Sequence, residues 1–194
     1  MSFKLTFGSL ALGLSLLYGQ APEGGDKPLF DGKSLNGWEN HGAPSWAVRE
    51  GAIACTGAAP SWIGTADSYS DYMLNLEFRG PEKVNSGVFL RSQKDGEPHV
   101  TGYELQIWDF QPAGFNTGSL VGSAKASPAK IVPNEWNTYE IRAVGDHFVI
   151  KLNGATVLDT HDGKHASGVI GFQCQKDNPI EFRNIRLRST APVR

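Results

Sequence analysis

Glu104, Gln106 and Trp108 fall at every second position of the segment GYELQIWD, residues 102–109, with Leu105 and Ile107 between them and Tyr103 before. Successive side chains of an extended strand point to opposite faces, so Tyr103, Leu105 and Ile107 would enter a core while a carboxylate, an amide and an indole share the other face. A carboxylate moves protons, an amide holds a hydroxyl or polarises a carbonyl, and an indole stacks on a flat or sugar ring. An ordinary solvated face carries Lys, Thr or Ser more often.

The same division recurs. In DYMLNLEFRG, Leu74, Leu76 and Phe78 oppose Asn75, Glu77 and Arg79; in GVIGFQCQ, Ile170, Phe172 and Cys174 oppose Gln173 and Gln175. In NSGVFLRS, Val88 and Leu90 oppose Phe89 and Arg91. Antiparallel sheets commonly solvate one face, and that alone accounts for Asn75, Glu77 and Arg79 taken singly. As a set, however, these faces hold Gln, Glu, Arg, Asn and Trp with almost no Lys, a selection suited to pairing with sugar hydroxyls and stacking on a pyranose.

Strands must position these residues. Period-2 segments bounded by turn residues predict ten short strands, at 46–49, 52–55, 72–80, 87–92, 102–108, 137–144, 147–152, 156–160, 168–175 and 180–188. No amphipathic helix of any length is evident, so the fold class is all-β, a sandwich of antiparallel sheets. HFVIKLNGATVLDT is the clearest hairpin, with Asn153 and Gly154 at the two positive-φ positions of a type I′ turn. Residues 110–133, rich in Gly, Ser, Ala and Pro, form a long connection of the kind that often walls a site.

The chain has 194 residues, 40% of them apolar and 20% charged, the composition of one globular domain. Residues 1–21 read as a secretory signal peptide: Lys4, an apolar run to Tyr18, then small residues at Gly19 and Ala21. The run is short of the roughly 20 apolar residues of a spanning helix. A linker at 22–28, a domain at 29–190 and a tail at 191–194 follow, and the expected location is the periplasm or the exterior. Two buried free thiols are the favoured state of Cys55 and Cys174, although an oxidising compartment would permit a bridge. A net charge of -2 without a Lys/Arg cluster argues against a nucleic-acid partner.

LFDGKSLNGW, NSGVFLR, GYELQIWD, NEWN, VIGFQCQ and EFRNIRLR, in that order from about Leu29 to about Arg188, resemble as a set the 3-keto-disaccharide hydrolase family of secreted bacterial domains. The resemblance implies a concanavalin A-like jelly roll that binds sugars on its concave sheet. It also implies a polar site face made of Glu77, Arg79, Asn85, Arg91, Glu104, Gln106, Asp109 and Gln173. One departure is the run Cys174-Gln175-Lys176-Asp177, where members often carry His or Asp followed by Gly.

The run Glu104-x-Gln106-x-x-Asp109 has an amide where laminarinase-type jelly rolls have a middle carboxylate. Retaining hydrolysis needs two carboxyl groups roughly 5 Å apart, which the alternation does not favour. A 3-keto sugar needs less, because its ketone acidifies the C2 hydrogen: one base takes that proton, the enolate expels the C1 substituent, and water adds back. On this reading Glu104 is the general base or acid, Asp109 and Glu77 are candidates for the second proton transfer, and Arg79, Asn85, Arg91, Gln106, Trp108 and Gln173 bind substrate or developing charge. The runner-up is a non-catalytic carbohydrate-binding domain; a third reading, an envelope structural domain, would have the polar face covered by another chain.

Among the remaining residues, Trp38, Trp46 and Trp136 are expected as buried anchors, whereas Trp108, and after it Trp62 and Phe115, are candidates for stacking on sugar. His161 and His165 lie in a turn, so no metal site is assigned there. Asp31 in FDGKS and Asp162 in HDGKH are able to ligate Ca²⁺ in a loop, yet turn formation explains both, and no cofactor is expected. With no dinucleotide fingerprint in the chain, a separate oxidoreductase would have to supply the oxidised sugar.

Overall fold

A computed structural model describes residues 25–190. The expected signal peptide, the first part of the linker and the tail lie outside the described residues.

Among the described residues, thirteen strands form two antiparallel sheets, accompanied by one short helix. They are β1 (Lys27–Pro28), β2 (Trp38–Gly42), β3 (Trp46–Arg49), β4 (Ala52–Cys55), β5 (Ser61–Thr65), β6 (Tyr72–Arg79), β7 (Ser86–Ser92), α1 (Pro98–Thr101), β8 (Tyr103–Ile107), β9 (Asn137–Val144), β10 (His147–Leu152), β11 (Ala155–His161), β12 (Val169–Cys174) and β13 (Ile180–Ser189). The larger sheet runs β11-β10-β9-β6-β13-β4-β3, with β1 also paired to β13; the smaller runs β2-β5-β12-β7-β8. This is the jelly-roll sandwich expected of the chain. The hairpin at Asn153 and Gly154 forms with both residues at positive φ, 50° and 81°.

Alternation places the core between the sheets. Leu74, Leu76 and Phe78 of β6 and Phe182 of β13 face Ile63 of β5, Val88 and Leu90 of β7, Leu105 and Ile107 of β8 and Phe172 of β12, all buried. Phe172 and Phe182 stack across the interface at 4.0 Å. Beside them Cys55 of β4 and Cys174 of β12 form a disulfide, with Cα atoms 5.7 Å apart. The expectation of two free thiols is therefore corrected: period 2 sends both side chains inward from facing strands, within bridging reach.

Residues 110–133 do not lie as a flap across a sheet. Gln106 N donates to Ser119 O, Gly118 N to Gln106 O and Val121 N to Glu104 O, so part of the segment continues the small sheet beyond β8. Ser127 N then donates to Val157 O of β11, which closes that side of the sandwich.

Candidate functional site

Outward-facing residues of the small sheet form two rows across its strands. Registers align Trp62 of β5, Gln173 of β12, Gly87 of β7 and Gln106 of β8 in one row; Gly64, Gly171, Phe89 and Glu104 make the other. Three glycines thus stand among the large side chains, and two of these, Glu104 and Trp62, fill the space the glycines leave. A Cβ on Gly87 would stand 2.9 Å from both Cγ and Oε1 of Glu104, so the carboxylate occupies the space a side chain there would fill. Trp62 lies over Gly64 and Gly171, whose added Cβ atoms would meet its ring at 2.5 Å and 3.1 Å.

Glu104 is only 7% exposed. Phe89 is its cross-strand partner and the side-chain amide of Gln173 donates to it. Burial pushes its carboxyl up to about 7 against that hydrogen bond, which favours the charged form. The group is therefore poised to take and return a proton near neutrality. Gln106 is buried on the same face, with its Oε1 accepting from Ile107 N and its backbone O held by the Tyr139 hydroxyl at 2.7 Å. Its Nε2 remains to donate. The Oε1 of Gln173 is buried and has no hydrogen-bond partner among the described residues.

Next to Gln173 the face becomes aromatic. His41 of β2 stacks on Trp62 at 3.8 Å and 5°, Trp62 meets Phe89 edge-on at 6.0 Å, and burial holds the His41 imidazole below its ordinary pKa. The benzo edge of the indole fills the space over Gly64, and His41 covers one of its faces. A cavity of about 380 Å³ opens there, lined by His41, Pro60, Trp62, Phe89, Pro98 and Gln173 among others. A second cavity, about 390 Å³ on the outer face of the large sheet, is lined by Arg49, Arg79 and Glu181, where the carboxylate is already neutralised by Arg79 at 2.7 Å.

The structure brings Glu104, Gln106 and Gln173 together and scatters the other expected site residues. Glu77 and Arg79 lie on the large sheet, paired across strands with Arg183 and Glu181 at 2.7 Å each. Burial raises the Glu77 carboxyl, but hydrogen bonds from Asn184 and Arg183 outweigh it and the pKa falls below the ordinary value. Asp109, just past β8, accepts from the Thr117 hydroxyl and from Ile131 N and so fastens the long connection. Asn85 stands half-buried before β7, its N–H donating to Asn178 Oδ1. Trp108 is half-buried one residue beyond β8, and Phe115 lies under the Lys125 ammonium at 5.2 Å.

Arg91 departs furthest from expectation. Strict alternation would put it beside Phe89, but it has φ 55° where the β7–β12 register slips, and it is fully buried. A bulge of this kind reverses a side chain's direction. Its guanidinium donates to the backbone O of Ser70, Gly145 and His165, pairs with Asp71 at 3.3 Å and covers the Phe148 ring, tying loops together at one end of the sandwich.

Trp38 is the expected buried anchor, its Nε1 donating to Leu29 O, and Trp46 packs half-buried against Phe182. Trp136 is not: it lies half-buried between the Arg79 and Arg183 guanidinium groups at 4.6 Å and 3.8 Å. The Asp31 carboxylate accepts from the backbone and hydroxyl of Ser34 and from Lys33 N, as a turn requires. Asp162 is held by Ser123, Tyr103 and Lys164 N, and these hydrogen bonds outweigh burial to bring its carboxyl down to about 2.

Sequence reasoning offered Trp62 for stacking but missed His41 and the two strands that bring them together. Those strands, WENHG and SWIGT, lack the alternating apolar positions by which the other strands were recognised. The one available signal was Gly64 two residues after Trp62, a glycine on the same face as a large side chain in a short β-rich run.

Solved structures with this fold include a candidate glycosyl hydrolase from Parabacteroides distasonis, at TM-score 0.75 and 19% identity, covering 86% of this chain and 94% of that one. A carbohydrate-binding module from Bacillus subtilis superimposes at TM-score 0.64 and 21% identity, covering 79% and 96%. Among curated proteins, the 3-keto-disaccharide hydrolase of Bacteroides thetaiotaomicron is 26% identical over 166 residues, 69% of this chain and 57% of the relative. The chain thus spans little more than half the length of that relative. The profile of the 3-keto-alpha-glucoside-1,2-lyase-like domain matches residues 25–188, and the chain belongs to that family.

Proposed function

We propose that the protein cleaves 3-keto-glycosides on the outer face of its small sheet, with Glu104 as the proton-transfer group. The observation that carries this reading is the carboxyl of Glu104, enclosed by Phe89, Gly87 and Gln173 and brought to about 7 by burial. A sugar-binding face alone gains nothing from a buried acid poised at neutrality, whereas a general base does.

The chemistry follows from one such base. Glu104 takes the C2 proton as the C2–H electron pair moves toward the C3 ketone oxygen, giving an enolate. The Nε2 of Gln106 is the donor available to that oxygen. The enolate re-forms the ketone as C1=C2 develops and the C1–O bond breaks; the leaving alkoxide takes a proton, which protonated Glu104 is able to return. Water then adds its oxygen to C1 and a proton to C2, so the net change is hydrolysis. Asp109 and Glu77 have their carboxylates engaged elsewhere, and the scheme assigns them no step. The disulfide suits an oxidising compartment, and with it a periplasmic or exported site of action, where a separate oxidoreductase would supply the ketone.

Incubation with a 3-keto-glucoside and with its unoxidised parent, for the wild type and Glu104→Gln, tests the reading. It holds if the wild type releases the aglycone only from the oxidised sugar and the variant does not. The His41–Trp62 stack favours a second reading, a sugar-binding domain without catalysis; in that case neither sugar is cleaved and wild type and variant bind alike.

A further inference from the structure

We propose, resting on the reading above, that the cavity between His41 and Phe89 is the subsite for the leaving group, and that its occupant is a hydroxylated ring of sugar size rather than a small alkyl group. Three observations converge on it. First, position: proton abstraction requires C2 of the substrate within about 3 Å of the Glu104 carboxylate. The bond that breaks is one atom away at C1, so the departing group must lie beside Glu104. On the β8 side the connection at Gly118 and Val121 is hydrogen-bonded onto the strand, whereas on the other side Gln173 and Phe89 are shared between Glu104 and the cavity.

Second, shape: the cavity, about 380 Å³, falls in the roughly 300–1,000 Å³ range of small-molecule sites. Its floor is aromatic: the Trp62 indole, its edge toward Gly64, lies against the His41 imidazole, parallel to it at 3.8 Å. Gly64 leaves room for the indole, since a Cβ there would come within 2.5 Å of it, and a Cβ at Gly171 would crowd both the indole and Ile63 O. A ring placed on this floor stacks on His41 or takes its place on Trp62, with Pro60 and Pro98 beside it.

Third, polarity: Gln173 uses its amide N–H toward Glu104 and leaves its Oε1 buried without a partner among the described residues. A buried acceptor left unpaired is costly, and a turn of the Gln173 side chain on binding would present it to a hydroxyl of the occupant. One side chain thereby touches both the base and the departing group, which makes Gln173 the specificity-determining residue for the leaving group.

The test uses a protein that binds without turnover, Glu104→Gln, titrated with methyl 3-keto-glucoside and with a 3-keto-disaccharide of the same oxidised sugar. The disaccharide is expected to bind at least ten-fold more tightly and to shift the indole N–H resonance of Trp62, which the methyl glycoside leaves in place. Adding Gln173→Leu is expected to weaken the disaccharide about ten-fold and the methyl glycoside little, the loss of one hydrogen bond to the second ring. Equal affinity for the two ligands, or an unmoved Trp62 resonance, overturns the proposal. The resonance is read with Gln173 intact, so it decides even if Gln173→Leu fails to fold. Absence of cleavage by the wild type would instead count against the catalytic reading, which is scored separately.

Discussion

On the outer face of the large sheet, Glu77 and Arg79 stand directly across from Arg183 and Glu181, and the two guanidinium groups enclose Trp136. On the outer face of the small sheet, Glu104 stands across from Phe89, beside a glycine and an amide. Both carboxylates come from strands with the same alternation, and opposite environments separate them: Glu77 is held below its ordinary pKa and Glu104 is brought to about 7. A paired, solvated carboxylate is spent on a surface contact, whereas a buried one without a cation is available for chemistry. What decides the role is the neighbouring strand rather than the strand itself.

The largest expected difference is catalytic. Glu104→Gln should lower kcat on a 3-keto-glycoside by about 10²- to 10⁴-fold, the usual contribution of a positioned acid or base, while Glu77→Gln leaves it unchanged. Equal losses in the two variants would erase the distinction between the faces. Next comes the covalent link between the sheets. Cys55→Ser with Cys174→Ser opens a loop with a sequence separation of 119 and should cost about 2–5 kcal/mol, read as the shift in denaturant midpoint between oxidised wild type and variant.

The glycine cradle is the next lever. Gly87→Ala places a Cβ 2.9 Å from the Glu104 Cγ and Oε1, and overpacking of that kind costs about 1–3 kcal/mol. It should also lower kcat, because Glu104 must move to make room; full activity at reduced stability would show that its present position is not the working one. pH offers a comparable effect without crowding. The folded state holds the Glu104 proton up to about 7, whereas the unfolded chain releases it near 4.5, so the native state binds more protons in that window. Stability from this group is full below the window, falls as pH rises through it, and is level above. Glu104→Gln removes the slope: it should match wild type at about pH 4 and exceed it by about 1–3 kcal/mol at about pH 8, in paired urea titrations.

Most of the fold was legible because it depends on local alternation. Strands at 46–49, 52–55, 137–144 and 147–152 coincide with β3, β4, β9 and β10, and the Asn153-Gly154 turn forms as its chemistry requires. What escaped has nonlocal causes. β5 is held by its register with β12 and β2 by its register with β5 rather than by their own patterns, so His41 and its place on Trp62 were hidden with them. Arg91 was misplaced because a single positive-φ residue reverses a side chain and leaves no mark on the alternation around it. Glu104, Gln106 and Gln173 were legible as polar members of two strands. Only the β12–β7–β8 register, which aligns Gln173 with Gly87 and so brings its amide to Glu104, shows that they form one site.

The smallest expected effect bears on the large sheet. If its outer face is a solvated ladder, the Glu77–Arg183 pair should contribute little despite its 2.7 Å contact, because both side chains keep about a third or a quarter of their surface in water. A double-mutant cycle with Glu77→Gln and Arg183→Gln should return a coupling of about 0.2–1 kcal/mol, the range of exposed pairs, shrinking as salt toward about 1 M brings the Debye length down to about 3 Å. Trp136 adds a packing contribution that salt does not screen, so part of the coupling should persist at high salt and disappear in a Trp136→Ala background. A coupling several times larger, insensitive to salt, would mean that the carboxylate of Glu77 is as sequestered as that of Glu104, and the contrast between a surface pair and a poised acid would no longer rest on burial.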